Sequence, residues 1–377
     1  MAKKSRGKKE RTQFKKNYQG RRRSGDLTRK FQQDSLSDQD QSRAERLSGK
    51  GELTRHRTVV GQALDVDGDL AAEGLTAGLV LRVHGLECVV EANDGQQYRC
   101  AVRQVLKSLS TQQRHVVAAG DRVAFRPEGA DQGIIVAVAT RQGTLSRTSR
   151  GRQHVLVANV NQLIIVASAK EPDIKPHLID RYLITAEQAS LVPLIVINKV
   201  DLTDPAELQP LVGVYARMGY QALLTSAERG WGIEQLRALV AGQRSVVSGQ
   251  SGVGKSSLLN AIEEGLALRV QPVSTENAKG KHTTTTAELL KLSSGGYLVD
   301  TPGIRQFELW DIEPQEVAGL FRDIRPLVDK CRFSDCLHLH EVDCAVLEAL
   351  ADGRIDPRRY NSYAHLVESP GAQYSGN

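Results

Sequence analysis

The residues Gly249-Gln250-Ser251-Gly252-Val253-Gly254-Lys255-Ser256 match the phosphate-binding pattern G-x-x-x-x-G-K-S/T at every fixed position. Glycines at that spacing let backbone N–H groups wrap a chain of phosphates, and a helix starting at the lysine adds its N-terminal partial charge. In that chemistry Lys255 reaches the β- and γ-phosphates and Ser256 ligates Mg²⁺. Ser257 opens the helix-like run behind the loop and joins the nucleotide-contacting set. Downstream, Asp300-Thr301-Pro302-Gly303 ends an apolar run. Asp300 would hold the Mg²⁺ through water, and Gly303 would let the backbone approach a γ-phosphate. Between the two lies Gly280-Lys281-His282-Thr283-Thr284-Thr285-Thr286, flanked by Asn277 and Lys279. Such a loop can bring a Thr hydroxyl, here Thr284, into the Mg²⁺ shell when a triphosphate is bound. A Thr run also suits the start of a β-strand, so both readings of Thr284 stand.

Asn198-Lys199-Val200-Asp201 follows another apolar run. The Asp201 carboxylate can accept from N1 and N2 of guanine, a donor pair that adenine lacks. Asn198 would face the O6/N7 edge, and Lys199 would lie along the base. Ser226 and Ala227, in Thr225-Ser226-Ala227, supply a second base-side loop. The combined set points to a guanine rather than an adenine nucleotide.

These groups need a framework to hold them. From about Val155, near-continuous apolar runs alternate with helical stretches: Leu163–Ala167, a helix over Pro176–Ala189, Val192–Ile197, Ala222–Thr225, Ser245–Ser248 and Tyr297–Asp300. That rhythm predicts a largely parallel sheet covered on both faces. Before it, from Leu75 to about Thr140, short alternating runs predict five strands, with a turn at Asn93-Asp94-Gly95. Five short strands indicate a small barrel, an OB-fold or, on pattern alone, an SH3-like one. Cys88 and Cys100 lie on these strands and read as core.

The C-terminal part reads as helices around a cluster, Cys331-x₄-Cys336-x-His338-x₅-Cys344. Three thiolates and one imidazole suit a closed tetrahedral zinc site, with His340 competing with His338 for the fourth place. Zinc would add folding free energy to a segment with a small core. Cysteines gathered in this way suit a reducing compartment and a metal, not a disulfide framework.

Charge is unevenly spread. The net charge is +6, but Met1–Phe31 carries thirteen Lys/Arg against two Asp/Glu, a local +11. The remainder, 37 basic against 42 acidic, is −5. Residues 1–72 therefore read as a disordered basic tail suited to polyanions. No apolar run is long enough to span a membrane, and no apolar stretch follows the basic start as in a secretory signal. The four segments are a tail (1–72), an OB-fold barrel (73–145), an α/β nucleotide-binding domain (146–309) and a helical zinc-binding domain (310–377).

The motif order is unusual. In Ras-like GTPases the phosphate loop comes first and the base motif late. Here the base motifs (198–227) precede the phosphate loop (249–256), and the switch segments (280–303) come last. This resembles the circularly permuted GTPases. With the barrel before and the Cys/His cluster after, residues 75–368 resemble the RsgA family, bacterial GTPases that depend on the small ribosomal subunit. The resemblance implies GTP hydrolysis to GDP stimulated by the 30S subunit, late in subunit maturation, with Mg²⁺ and one Zn²⁺. It also implies contacts of the barrel and zinc domains with 16S rRNA, a cytoplasmic monomer and no membrane. Arg82, Arg99 and Arg103 are barrel positions suited to RNA.

One departure bears on mechanism. Ile304 follows Gly303, where Ras-like proteins place a glutamine that orients the attacking water. An apolar side chain cannot do that, so intrinsic hydrolysis is expected to be slow. The resemblance suggests His282 as the substitute catalytic group beside Lys255 and Thr284; packing within its loop is the other role open to His282. A nucleotide-sensing RNA-binding assembly factor with little turnover is the alternative function. The second switch runs on through Phe307 and Trp310, which predicts a nucleotide-dependent shift of the C-terminal domain.

Overall fold

The computed structural model describes residues 74–85, 87–102, 117–149, 152–263, 266, 287–300 and 314–368, with only the backbone of 147–149, 152–154 and 300. The basic tail, Arg103, Asn277, His282, Thr284, Gly303, Ile304, Phe307 and Trp310 lie outside the described residues.

Alternating apolar residues build the first module. Strands β1 (Thr76–His84), β2 (Glu87–Ala92), β3 (Gln97–Val102), β4 (Arg122–Pro127) and β5 (Gln132–Val138) pair in the order β1-β2-β3-β5-β4, and β4 returns to β1. The ring of strands is thus closed, which leaves no free sheet edge. Val80, Cys88, Val90, Cys100, Phe125 and Ile135 fill it. Cys88 and Cys100 are register partners on β2 and β3, fully buried, as expected of core residues.

A two-stranded hairpin, β6 (Leu145–Ser149) and β7 (Arg152–Val157), follows the barrel. Sequence reading missed it, because the polar Ser-Arg-Thr-Ser stretch carries no apolar alternation. Then comes the parallel sheet: β8 (Gln162–Ser168), β9 (Val192–Asn198), β10 (Gln221–Leu224), β11 (Arg244–Ser248) and β13 (Tyr297–Asp300), with β12 (Glu288–Lys291) antiparallel to β13. Every residue of β8 is buried, the mark of a strand covered on both faces. Helices α1 (Pro176–Gln188) and α2 (Gln209–Arg217) cover one face through Ile179, Leu183 and Leu211. Helices α3 (Ile233–Val240) and α4 (Lys255–Ile262) cover the other through Leu236, Val240, Leu258 and Ile262. The sheet continues into the barrel, since β12 pairs with β1 at Glu288 and Arg82.

The C-terminal helices α5 (Pro314–Leu320), α6 (Ala345–Ala351) and α7 (Pro357–Glu368) enclose a separate core of Val317, Phe321, Ile324, Val346, Ala349 and Tyr363. Ile184 of α1 belongs to that core, so the module packs on the nucleotide sheet's own helix. Asp356 caps α7, accepting from the Arg358 backbone N–H at 2.9 Å.

Candidate functional site

The phosphate loop leaves the C-terminal end of β11 and enters α4 at Lys255. Two of its glycines are dictated by neighbours within the protein. Gly249 has φ +148°, and a Cβ there would lie 2.1 Å from the Val166 carbonyl oxygen of β8. Gly254 has φ +91°, and a Cβ there would lie 2.4 Å from Asn198 Nδ2. Any side chain would push the loop off the sheet end and off the base motif.

Asn198 is fully buried, and its carboxamide is a brace. Nδ2 donates to the Val253 carbonyl at 3.0 Å, and Oδ1 accepts from the Ala227 N–H at 3.1 Å and the Thr225 hydroxyl at 3.3 Å. Only one of the two Nδ2 hydrogens is spent on Val253, so this bracing role is compatible with the expected contact of Asn198 with the O6/N7 edge of a base. Its hydrogen-bonding groups tie the phosphate loop to the second base-side loop. Ser226 is also fully buried; its N–H donates to the Trp231 carbonyl at 3.0 Å, and its Oγ accepts from the Arg229 N–H at 3.1 Å. Lys199, at φ +60°, donates from Nζ to the Glu171 carbonyl, and its Cε lies 4.0 Å from where a Gly254 Cβ would sit. Asp201 is half-buried in the single 3₁₀ turn Val200–Leu202. Residues 198–201 and 249–256, about fifty positions apart, thus share one site.

Lys255 donates from Nζ to the carbonyls of Gly249 and Gln250, each at 2.7 Å, which holds the ammonium across the loop. Gln250, Gly252, Ser256 and Ser257 are half-buried, Ser251 is exposed and Val253 is buried. The backbone of Asp300 ends β13, next to β11 in the sheet, so that strand ends on the side from which the phosphate loop leaves β11.

A small cleft opens beside the loop. Ile165, Ser168, Asp173, Leu178, Tyr182 and Gln250 are among its lining residues. No motif announces the part that α1 plays here; only folding brings that helix to the loop.

The Cys/His cluster assembles in the C-terminal module. One ligand atom from each of Cys331, Cys336, His338 and Cys344 lies within 4.8 Å of the others. Cys331 Sγ is 3.9 Å from Cys344 Sγ, and His338 Nδ1 is 3.3 and 3.5 Å from those two sulfurs. A tetrahedral zinc with ordinary bond lengths has S–S edges of about 3.8 Å and S–N edges of about 3.6 Å. The residues present therefore fit one Zn²⁺. His338, at φ +56°, supplies the imidazole, and His340 lies outside the set. The loop is held from outside: Tyr360 and Tyr363 hydroxyls donate to the His338 and Leu337 carbonyls at 2.9 and 2.8 Å. Glu341 accepts from the N–H groups of Leu337, Leu339 and His340. Burial alone would raise the Glu341 carboxyl, but those N–H donors outweigh it and hold it at about 2. Burial pushes the Cys336 thiol up to about 12, so a cation, not the protein alone, must make it a thiolate at neutral pH.

Of the barrel arginines, Arg82 pairs with Glu288 at 3.1 Å and Arg99 with Asp131 at 2.7 Å, both on the surface.

Comparison with known proteins gives a consistent result. The family described as RsgA GTPase matches residues 138–310. A small ribosomal subunit biogenesis GTPase RsgA from Azotobacter vinelandii is 43% identical over 310 residues, covering 80% of this chain and 87% of that one. The protein of the same name from Chlorobaculum parvum is 39% identical over 305 residues, covering 78% and 97%. Among solved structures, YjeQ from Thermotoga maritima matches with a TM-score of 0.66 at 37% identity, covering 78% of this chain and 98% of that one. YloQ, a circularly permuted GTPase, matches with a TM-score of 0.62 at 28% identity, covering 78% and 95%.

Proposed function

The chain belongs to the RsgA family of circularly permuted GTPases, and from that premise we propose that it hydrolyses GTP to GDP in biogenesis of the small ribosomal subunit. The observation that carries the reading is the contact between Asn198 and Val253, which joins a guanine motif to a phosphate loop in permuted order.

In this reading Asp201 accepts from guanine N1 and N2, and Lys199 flanks the base. The second base-side loop, Ser226 and Ala227, is held in place by Asn198. The amides of Gly249 to Ser257 and the positive end of α4 receive the phosphates. Lys255 exchanges its bonds to the Gly249 and Gln250 carbonyls for the β- and γ-phosphates. Ser256, Thr284 and, through water, Asp300 would hold Mg²⁺, which would supply charge neutralisation at those phosphates. Gly303 admits the backbone near the γ-phosphate. Ile304 leaves the attacking water without a glutamine to orient it, and His282 takes that part when the 30S subunit is bound. His282→Ala is expected to keep GTP binding and lose 30S-stimulated turnover; unchanged stimulated turnover would reject this role.

The reading places the protein in the cytoplasm as a monomer, acting late in maturation through 16S rRNA. The barrel (73–145) and the Zn²⁺-loaded helical domain (310–377) flank the GTPase domain (146–309) and make the RNA contacts, and the tail (1–72) adds salt-sensitive attraction. Among the described residues, no helix is long and apolar enough to cross a membrane. The test is hydrolysis of GTP and of ATP, each with and without purified 30S subunits. GTP-specific turnover that rises with 30S supports the reading. Binding of GTP to the 30S complex without turnover would favour the nucleotide-sensing alternative.

A further inference from the structure

We infer that Arg359, in the C-terminal module, is a remote positioning residue for the guanine nucleotide site and acts through helix α1. The inference rests on the reading that this site binds guanine nucleotide.

Arg359 is 2% exposed, and Asp180 of α1, its partner, is fully buried. Arg359 Nη1 donates to Asp180 Oδ1 at 2.6 Å. Its other two nitrogens, Nε and Nη2, donate to the two carboxylate oxygens of Asp323 at 3.2 and 3.0 Å. The guanidinium lies over the Phe321 ring, 4.5 Å from its centroid. The Tyr215 hydroxyl of α2 donates to the same Asp180 oxygen at 3.0 Å. Burial alone would lower the guanidinium, and the two carboxylates more than reverse it, so Arg359 stays charged.

An apolar pair of similar volume would bury the same interface without the cost of desolvating ions. What the ions add is direction. A guanidinium forked onto one carboxylate and extended to another fixes the angle at which α7 meets α1.

The same turns of α1 that carry Asp180 also touch the nucleotide site. Leu178, Ile179 and Tyr182 line the cleft with Gln250 and Val253 of the phosphate loop. The segment entering α1 is stitched to the guanine motif: the Ala169 N–H donates to the Asn198 carbonyl at 2.9 Å, and Lys199 Nζ donates to the Glu171 carbonyl. Asp180 stands four residues, about 6 Å along the helix axis, from Pro176 at the start of α1. A packed helix shifts as a rigid element, so losing the Arg359 bond at Asp180 displaces the support of Lys199 and of the phosphate loop together.

The test uses the full chain and N-methylanthraniloyl-GDP. Arg359→Met keeps the packing volume and removes the fork. Its expected effect is GDP release at least about five-fold faster than the parent, with zinc content and melting cooperativity unchanged. Arg358→Met, on the same helix but with its described ion pair to Asp356, is expected to release GDP at the parental rate. Parental release from folded, zinc-replete Arg359→Met overturns the inference. If that variant fails to fold, Asp180→Asn decides on the same criterion. A parent chain that binds no guanine nucleotide overturns the site reading itself, and the inference with it.

Discussion

The barrel is joined to the nucleotide sheet by backbone. Strand β1 pairs with β12, and Leu81 of β1 packs into the same core as Leu289 and Val299. Glu91 of β2, 7% exposed, accepts from Lys291 Nζ at 2.6 Å and the Tyr297 hydroxyl at 2.5 Å. The Gly120 carbonyl accepts from Asn159, and the Ala158 N–H donates to the Ala119 carbonyl. Among the described residues, the C-terminal module shares no strand with the sheet. Its described contacts with α1 and α2 run through side chains: Ile184 in its core, Arg359 on Asp180, and Arg322 on Glu187 at 2.6 Å. Arg322 also lies over the Tyr220 ring, 4.1 Å from its centroid. A ladder fixes register wherever strands meet, whereas a side-chain seam must fix orientation with directional groups. The side-chain seam accordingly carries an ion pair buried at both partners, Arg359 on Asp180, whereas at the ladder seam the buried Glu91 meets an exposed Lys291.

The comparison can be broken at several points. Cys344→Ser should have the largest effect, because zinc-linked folding free energy in a small module is on the order of 10 kcal/mol. Zinc content should fall and the C-terminal module should melt early, while the sheet and barrel keep their own transition in calorimetry. Arg359→Ala follows. It leaves Asp180 and Asp323 facing each other without their cation, at a cost of about 4 kcal/mol by urea unfolding. Arg359→Met should cost clearly less; equal losses would mean that packing, not charge, orients the module. Leu81→Ala tests the other seam and should cost about 3 kcal/mol.

Smaller effects are expected where water or a substitute acceptor remains. Glu91→Gln keeps an acceptor for the Tyr297 hydroxyl. Burial first, and Glu91 second, push that hydroxyl up to about 12, so it remains a donor at neutral pH. A loss of about 1 kcal/mol is expected from weakening the Lys291 bond. Arg82→Ala removes a surface ion pair and should change stability by under about 1 kcal/mol. If Arg82→Ala separated the barrel from the sheet in limited proteolysis, the claim that backbone pairing and Leu81 carry that seam would fail.

Much of the site was legible because its chemistry imposes short spacings. The phosphate loop, Asn198-Lys199-Val200-Asp201 and the Cys331–Cys344 cluster each fall within a few residues along the chain. Backbone geometry and metal coordination demand that. Asn198 was legible as a site residue, but its bracing of Val253, Thr225 and Ala227 was not, since those partners lie far away along the chain. Strand β12 and the β6–β7 hairpin escaped notice. One has only four residues, and the other has too little apolar alternation to register.

The sequence by itself determined the parallel sheet, the five-stranded barrel, the permuted order of motifs and the ligand set for a metal. Those follow from periodicity and from local spacing, which are properties of neighbouring residues. Only the tertiary structure decided that β4 closes onto β1, that β12 ties barrel to sheet, and that Arg359 reaches Asp180 across 179 positions. Such pairings are set by which surfaces bury best against each other, a choice made by the whole chain at once.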